Sequence, residues 1–187
     1  MKHLSMIGVA AAVLLSAPLG DRIVNSAAEQ HPSAVVQNIQ TQRPVQLNLL
    51  AEKQVMQKDA QGKPKVSWQA MQGKVTVFPG DVIRYTVRGA NSGDRPVKNL
   101  VLTQPIPKQT TYVLNSVNVN HPGVAVTYSI DRGKSFVAKP IVKVKMADGK
   151  VKIQPAPAEL YTHIRWKFEQ AVDSSKMLSA AYQVKVK

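Results

Sequence analysis

From Val45 to Lys187 the chain is written in short runs whose apolar side chains fall on every second position. In DVIRYTVRG, Ile83, Tyr85 and Val87 take one face while Arg84, Thr86 and Arg88 take the other. Val124, Val126, Tyr128 and Ile130 line up in VAVTYSI, and Ile164, Trp166 and Phe168 oppose His163, Arg165 and Lys167 in YTHIRWKFE. The final run, LSAAYQVKVK, puts Leu178, Ala180, Tyr182, Val184 and Val186 on one side and Gln183, Lys185 and Lys187 on the other. A period of two is the pleat of a strand, whereas a helix repeats near 3.6. One apolar and one polar face per strand is how antiparallel sheets with a single wet side are written. Trp68, Trp166, Tyr85 and Tyr182 read as core, with Trp68, beside Lys63 and Lys65, the one aromatic placed to reach a ligand instead.

The punctuation agrees. Gln61-Gly62, Pro79-Gly80-Asp81, Asn91-Ser92-Gly93-Asp94, His121-Pro122-Gly123, Arg132-Gly133 and Asp148-Gly149 separate the runs, each offering a glycine where a turn asks for positive φ. Turn signals about every eight to twelve residues predict roughly nine or ten strands. The expected fold is all-β, an immunoglobulin-like antiparallel β-sandwich over residues 45–187. A domain of roughly 150 residues buries about 68–70% of its unfolded-chain surface, so it needs no covalent staple. The chain has no cysteine, which excludes a disulfide framework, a zinc ribbon and thiol catalysis.

Upstream, MKHLSMIGVAAAVLLSAPLG carries Lys2 and His3 before an apolar run from Met6 to Ala17. That run is shorter than the roughly 20 residues of a membrane helix and reads as a secretory signal over residues 1–28, with an uncleaved anchor as the alternative. Secretion to the extracellular space or cell envelope is expected, with no stable membrane span once the signal is gone. Residues 29–44 form a polar arm, and within it AVVQNIQ is strand-like, with Val35, Val36 and Ile39 as its apolar positions.

Val75 to Val117 carries a run of short motifs: Pro79-Gly80-Asp81, Tyr85-Thr86-Val87, Asn91-Ser92-Gly93, Asn99-Leu100-Val101-Leu102-Thr103, Pro105-Ile106-Pro107 and Tyr112-Val113. Their order resembles the domain of unknown function eleven family, a repeat domain of secreted bacterial and archaeal surface proteins. Trp166 and the strand Ala181 to Val186 extend the resemblance across residues 45–187, in a form similar to cyanobacterial single-domain versions. The family has Asp where this chain has Gln104. The resemblance implies a surface-protein scaffold and no particular chemistry, since fold alone does not carry function.

One motif raises the question of catalysis. YSIDRGKSF has the spacing of the Asp-box, a hairpin familiar from sialidases, with Ser129, Asp131, Gly133, Ser135 and Phe136 in its positions. Its mechanics are those of a turn: the carboxylate accepts turn amides and glycine relieves the backbone, so Asp131 and Gly133 read as structural. A sialidase also needs an arginine cluster, a Tyr–Glu pair and a propeller for which this chain is too short. The eleven acids are scattered and mostly in turns. Elbow, phosphate-loop and metalloprotease motifs are absent. His3, His31, His121 and His163 lack ligand spacing. No dense D-x-D-x-D loop marks a calcium site. Neither an enzyme nor a cofactor is expected.

With 25 Lys and Arg against 11 Asp and Glu, a net +14, the surface should attract polyanions in a salt-sensitive way. Export favours anionic polysaccharide or cell envelope over any specific nucleic acid. Lys143 and Lys145, followed across Asp148-Gly149 by Lys150 and Lys152, would give a hairpin one basic wet face. That face reads either as an anionic-polymer contact or as an edge charged against aggregation. The arm offers a third route: its strand can add to the sheet edge of a neighbouring copy and build a filament, or it can serve as a spacer. The expected function is a non-enzymatic surface or matrix structural protein, self-associating in this way. The alternative is a basic adhesion module for anionic polysaccharide.

Overall fold

A computed structural model describes residues 14–16 and 45–187, apart from Lys74. The polar arm, with Val35, Val36 and Ile39, and the N-terminal apolar run outside residues 14–16 lie beyond the described residues. Among the described residues twelve strands follow in order: β1 (Leu14–Ser16), β2 (Val45–Lys58), β3 (Pro64–Ala70), β4 (Val82–Asn91), β5 (Val101–Pro105), β6 (Thr110–Tyr112), β7 (Asn118–Val119), β8 (Val124–Ser129), β9 (Ile141–Lys145), β10 (Val151–Pro155), β11 (His163–Phe168) and β12 (Met177–Val186). One 3₁₀ turn, Ala158–Leu160, precedes β11.

The strands form a sandwich. One sheet runs β3-β2-β4-β12-β6, with β7 also pairing β12, and the other runs β1-β5-β11-β8. Every strand pairing is antiparallel. The alternation read from the sequence marks the inner faces. Ile83, Tyr85 and Val87 are buried from β4, Leu178, Ala180, Tyr182, Val184 and Val186 from β12, and Ile164, Trp166 and Phe168 from β11. The layers meet where the Trp166 and Tyr182 rings lie 6.0 Å apart and the Tyr182 hydroxyl donates to the Pro105 carbonyl at 3.1 Å. The phenol's burial pushes its pKa above the usual tyrosine value.

Three departures from the sequence reading have simple causes. β8 is half-buried on both faces, because it is the outer strand of its sheet and has a neighbour on one side only. Trp68, expected in the core with Trp166, Tyr85 and Tyr182, lies half-buried on β3, with the Arg84 guanidinium stacked 4.3 Å from its ring and Glu52 paired to that arginine at 2.8 Å. Gly93 does not take the positive φ expected of its turn, and its N–H instead bonds the Asn91 side chain.

Gly89, in the middle of β4, sits between Leu47 and Leu178 on the flanking strands. A Cβ there would stand 2.6 Å from Leu47 Cδ2 and 3.2 Å from Leu178 Cδ1. Gly89→Ala is therefore expected to lower stability by about 1 kcal/mol, the low end for overpacking because the leucine methyl can rotate away. A shift in the urea midpoint measures it; an unchanged midpoint would mean the sheet relaxes without strain.

Candidate functional site: a basic cleft at one end of β5

The Asp-box hairpin is closed by mutual backbone bonds between Tyr128 and Val137, 2.9 and 3.0 Å. Its tip takes two consecutive left-handed residues, Arg132 at φ 63° and Gly133 at φ 84°. Glycine does this freely, but arginine pays in backbone strain and must be held there. The holding is visible. Asp131 Oδ1 accepts the Ser129 hydroxyl at 2.7 Å and the Ser135 amide at 2.9 Å, and its other oxygen accepts the Ser135 hydroxyl. Ser129 Oγ accepts the Gly133 amide at 2.8 Å, and the Arg132 amide donates to Thr162 Oγ1 at 3.1 Å.

These donors hold the Asp131 carboxyl well below the usual carboxylate range, led by the Ser135 hydroxyl and amide and then Ser129. The sign follows: the folded chain binds fewer protons here than the unfolded chain, so the stabilisation is complete above a pH of about 3.9 and is lost as pH falls through the depressed folded value. Melting temperature should therefore fall more steeply with acid, below about pH 4, in the natural chain than in Asp131→Asn. Parallel curves would show that the carboxylate contributes nothing to the fold.

The held turn places Arg132 in the lining of a cleft of about 670 Å³. Pro105, Ile106 and Pro107 line it from the end of β5, Lys108 and Thr110 from the approach to β6, Glu159 and Tyr161 from the 3₁₀ turn, Thr162 and His163 from the start of β11, and Lys187 from just after β12. Beneath, Tyr161 packs on Tyr112 and Tyr128 with ring centroids 5.3 Å from each. Lys108, Arg132 and Lys187 thus face a space in which Glu159 is the one lining acid. His163 has its pKa lowered by burial first and by Arg165 second, with Asp131 opposing, so its ring is neutral near pH 7. Arg165 itself lies flat on Phe136, 3.5 Å from the ring centroid.

Three other turn acids are bonded to their own loops. Asp59 accepts the Gln61 and Lys63 amides, Asp81 accepts the Phe78 amide and pairs with Lys53, and Asp148 accepts the Lys150 amide. Among the described residues no three His, Asp or Glu side chains come together where they could share a metal ion. No helix of the described residues is long and apolar enough to cross a membrane.

The four lysines singled out in the sequence do form one hairpin, β9–β10, but not one face. Lys143 stands opposite Ile153, Lys145 opposite Val151, and Lys152 opposite Val144. Directly opposed residues share a face, so Lys143 and Lys145 lie on one side and Lys152 on the other. Lys150 belongs to the turn, where it pairs with Asp148 at 3.5 Å. The sequence reading assumed one common face; the register across a five-residue turn decides that parity, and composition does not.

At the far side of the cleft, β5 carries the second feature. Its inner edge bonds β11, while its outer edge is paired with Leu14–Ser16, Leu14 opposite Thr103 and Ser16 opposite Val101. The cleft residues come from four separated segments, 105–110, 132, 159–163 and 187, which is why no motif announced them. The one signal available was basic residues placed in strand-end turns. Comparisons with protein-family models, with curated proteins and with solved structures find no match to this chain.

Proposed function

We propose that this chain is a non-enzymatic structural protein of a cell surface or extracellular matrix, assembled by β-strand addition. The observation that carries the reading is the outer edge of β5, which takes up a short upstream strand in antiparallel register. If residues 1–28 are a leader removed on export, that edge opens, and the arm of a neighbouring copy can fill it with Val35, Val36 and Ile39. About eight backbone bonds at roughly 0.5–1.5 kcal/mol each give about 4–12 kcal/mol. Ordering the arm at roughly 1–2 kcal/mol per residue offsets most of that, so the apolar side chains must tip the balance. Head-to-tail addition does not close on itself and yields fibres. The use of Asp59, Asp81, Asp131 and Asp148 as acceptors within their own turns supports a scaffold reading.

Electron microscopy of the chain lacking residues 1–28 is expected to show fibres, and further deletion of Glu29 to Thr41 is expected to leave a folded monomer. Assembly unaffected by the second deletion would sink the mechanism.

A second reading, an adhesion module for acidic polysaccharide, is favoured by the cleft rather than by the hairpin. Lys108, Arg132 and Lys187 line one cleft together with Tyr161. Under this reading Lys108→Glu with Arg132→Glu should abolish salt-sensitive retention on an acidic polysaccharide column, and Lys152→Glu should not. Retention that survives the cleft variants removes this reading.

A further inference from the structure

The β9–β10 hairpin belongs to neither sheet of the sandwich. Its base is tied by the Ala156 amide on the Pro140 carbonyl, 2.9 Å, and its tip by the Asp148-Gly149 turn. One face holds Val142, Val144 and Gln154, each half-buried, beside Lys152. The other is fully outward, and it is not polar. Ile141 is 56% exposed, Val151 61% and Ile153 59%.

The register arranges this outward face as a checkerboard. Lys143 lies across from Ile153 and Lys145 across from Val151, with Ile141 across from Pro155. No acidic residue lies on either strand; Asp148 is in the turn and already holds Lys150. Aliphatic side chains so exposed on a short hairpin mark a contact surface, and its chemistry narrows the partner. A second copy stacked on the same face would bring Lys143 and Lys145 against their own equivalents. A soluble polyanion would use the lysines but leave the aliphatics in water. A surface that is anionic outside and apolar just beneath uses both.

We propose that the outward face of the β9–β10 hairpin docks on an anionic lipid bilayer. Ile141, Val151 and Ile153 enter the boundary between headgroups and acyl chains, while Lys143 and Lys145 extend along the apolar surface to the lipid phosphates. The hairpin lies in the interface plane and does not cross. Its outer strand edges have no ladder partner among the described residues, so their backbone groups must stay among headgroups and water. The attraction requires anionic lipid, since each lysine near such a surface contributes about a fivefold gain in binding.

The test uses the full chain and sedimentation with vesicles of phosphatidylcholine alone or mixed equally with phosphatidylglycerol. The apolar run from Met6 to Ala17 is common to every variant, so differences between variants report the hairpin. Lys143→Gln with Lys145→Gln should weaken binding to the mixed vesicles roughly 25-fold. Ile141→Ser with Ile153→Ser should weaken it at least about tenfold. Lys63→Gln with Lys65→Gln, at exposed lysines on another hairpin, should change it little. All these positions are exposed, and an unchanged melting temperature verifies the fold. Because the chain lacks cysteine, V151C and K65C each accept a single environment-sensitive dye. The dye at position 151 should shift to the blue with mixed vesicles and be quenched by a lipid-borne quencher, and the one at 65 should not. Equal losses from the Lys63/Lys65 control would overturn the proposal in favour of diffuse charge. Full binding by the isoleucine variant would overturn it in favour of a polyanion contact. A dimer lost in that variant, with vesicle binding intact, would assign the face to a second copy.

Discussion

Trp166→Ala is expected to cost about 3–5 kcal/mol of folding stability, the largest loss of any single substitution proposed for this chain. The indole is fully buried on β11, the second strand from the edge of its sheet, with Leu102 and Val126 directly opposite on the flanking strands. It is also where the two layers touch, through Tyr182. Removing it deletes apolar contact and leaves a void lined by residues from both sheets, which rigid strands cannot collapse to fill. For a domain whose total stability is about 5–15 kcal/mol, such a loss brings the unfolded state into reach at moderate denaturant. Trp166→Phe should lose much less, since it keeps a ring and removes an indole N–H that has no partner among the described residues. Urea unfolding followed by circular dichroism reads both. A midpoint for the alanine variant within about 1 kcal/mol of the natural chain would mean that this contact does not hold the layers together.

Gln104→Met is expected to act in the opposite direction, raising stability by about 1–3 kcal/mol. Gln104 is fully buried on β5, opposite Ile164 and diagonal to Trp166, and neither its amide oxygen nor its amide nitrogen finds a partner among the described residues. A buried amide without partners costs its desolvation, while methionine has nearly the same length and flexibility and buries no polar group. The same urea experiment decides the matter, and Gln104→Glu should be destabilising because it buries a charge. A destabilised methionine variant would show that the amide is bonded in solution and holds the inner face in place.

Much of the scaffold could be read before any coordinates. The runs containing Ile83, Trp166 and Tyr182 gave their inward faces correctly, because a strand with one wet side must alternate and cannot shift by one residue without exposing its whole apolar set. The turns at Gly62, Gly80, Gly123, Gly133 and Gly149 were legible for a local reason, since each adopts a positive φ that glycine alone takes at no cost. Asp59, Asp81 and Asp148 were legible as turn acceptors on the same footing, their partners lying within four residues.

What the sequence by itself determined is therefore local: the strand period, the inward face of each central strand, the places where the chain turns, and a surplus of positive charge. Only the tertiary structure decided which strands became neighbours, that β9–β10 stands apart from both sheets, and that its lysines divide between two faces. It also decided that Trp68 lies against Arg84 outside the core, and that Lys108, Arg132 and Lys187 share a cleft. The reason is physical. Alternation and turn chemistry act over a few residues and are written in the chain, whereas register and the meeting of distant loops depend on how the assembled layers fit.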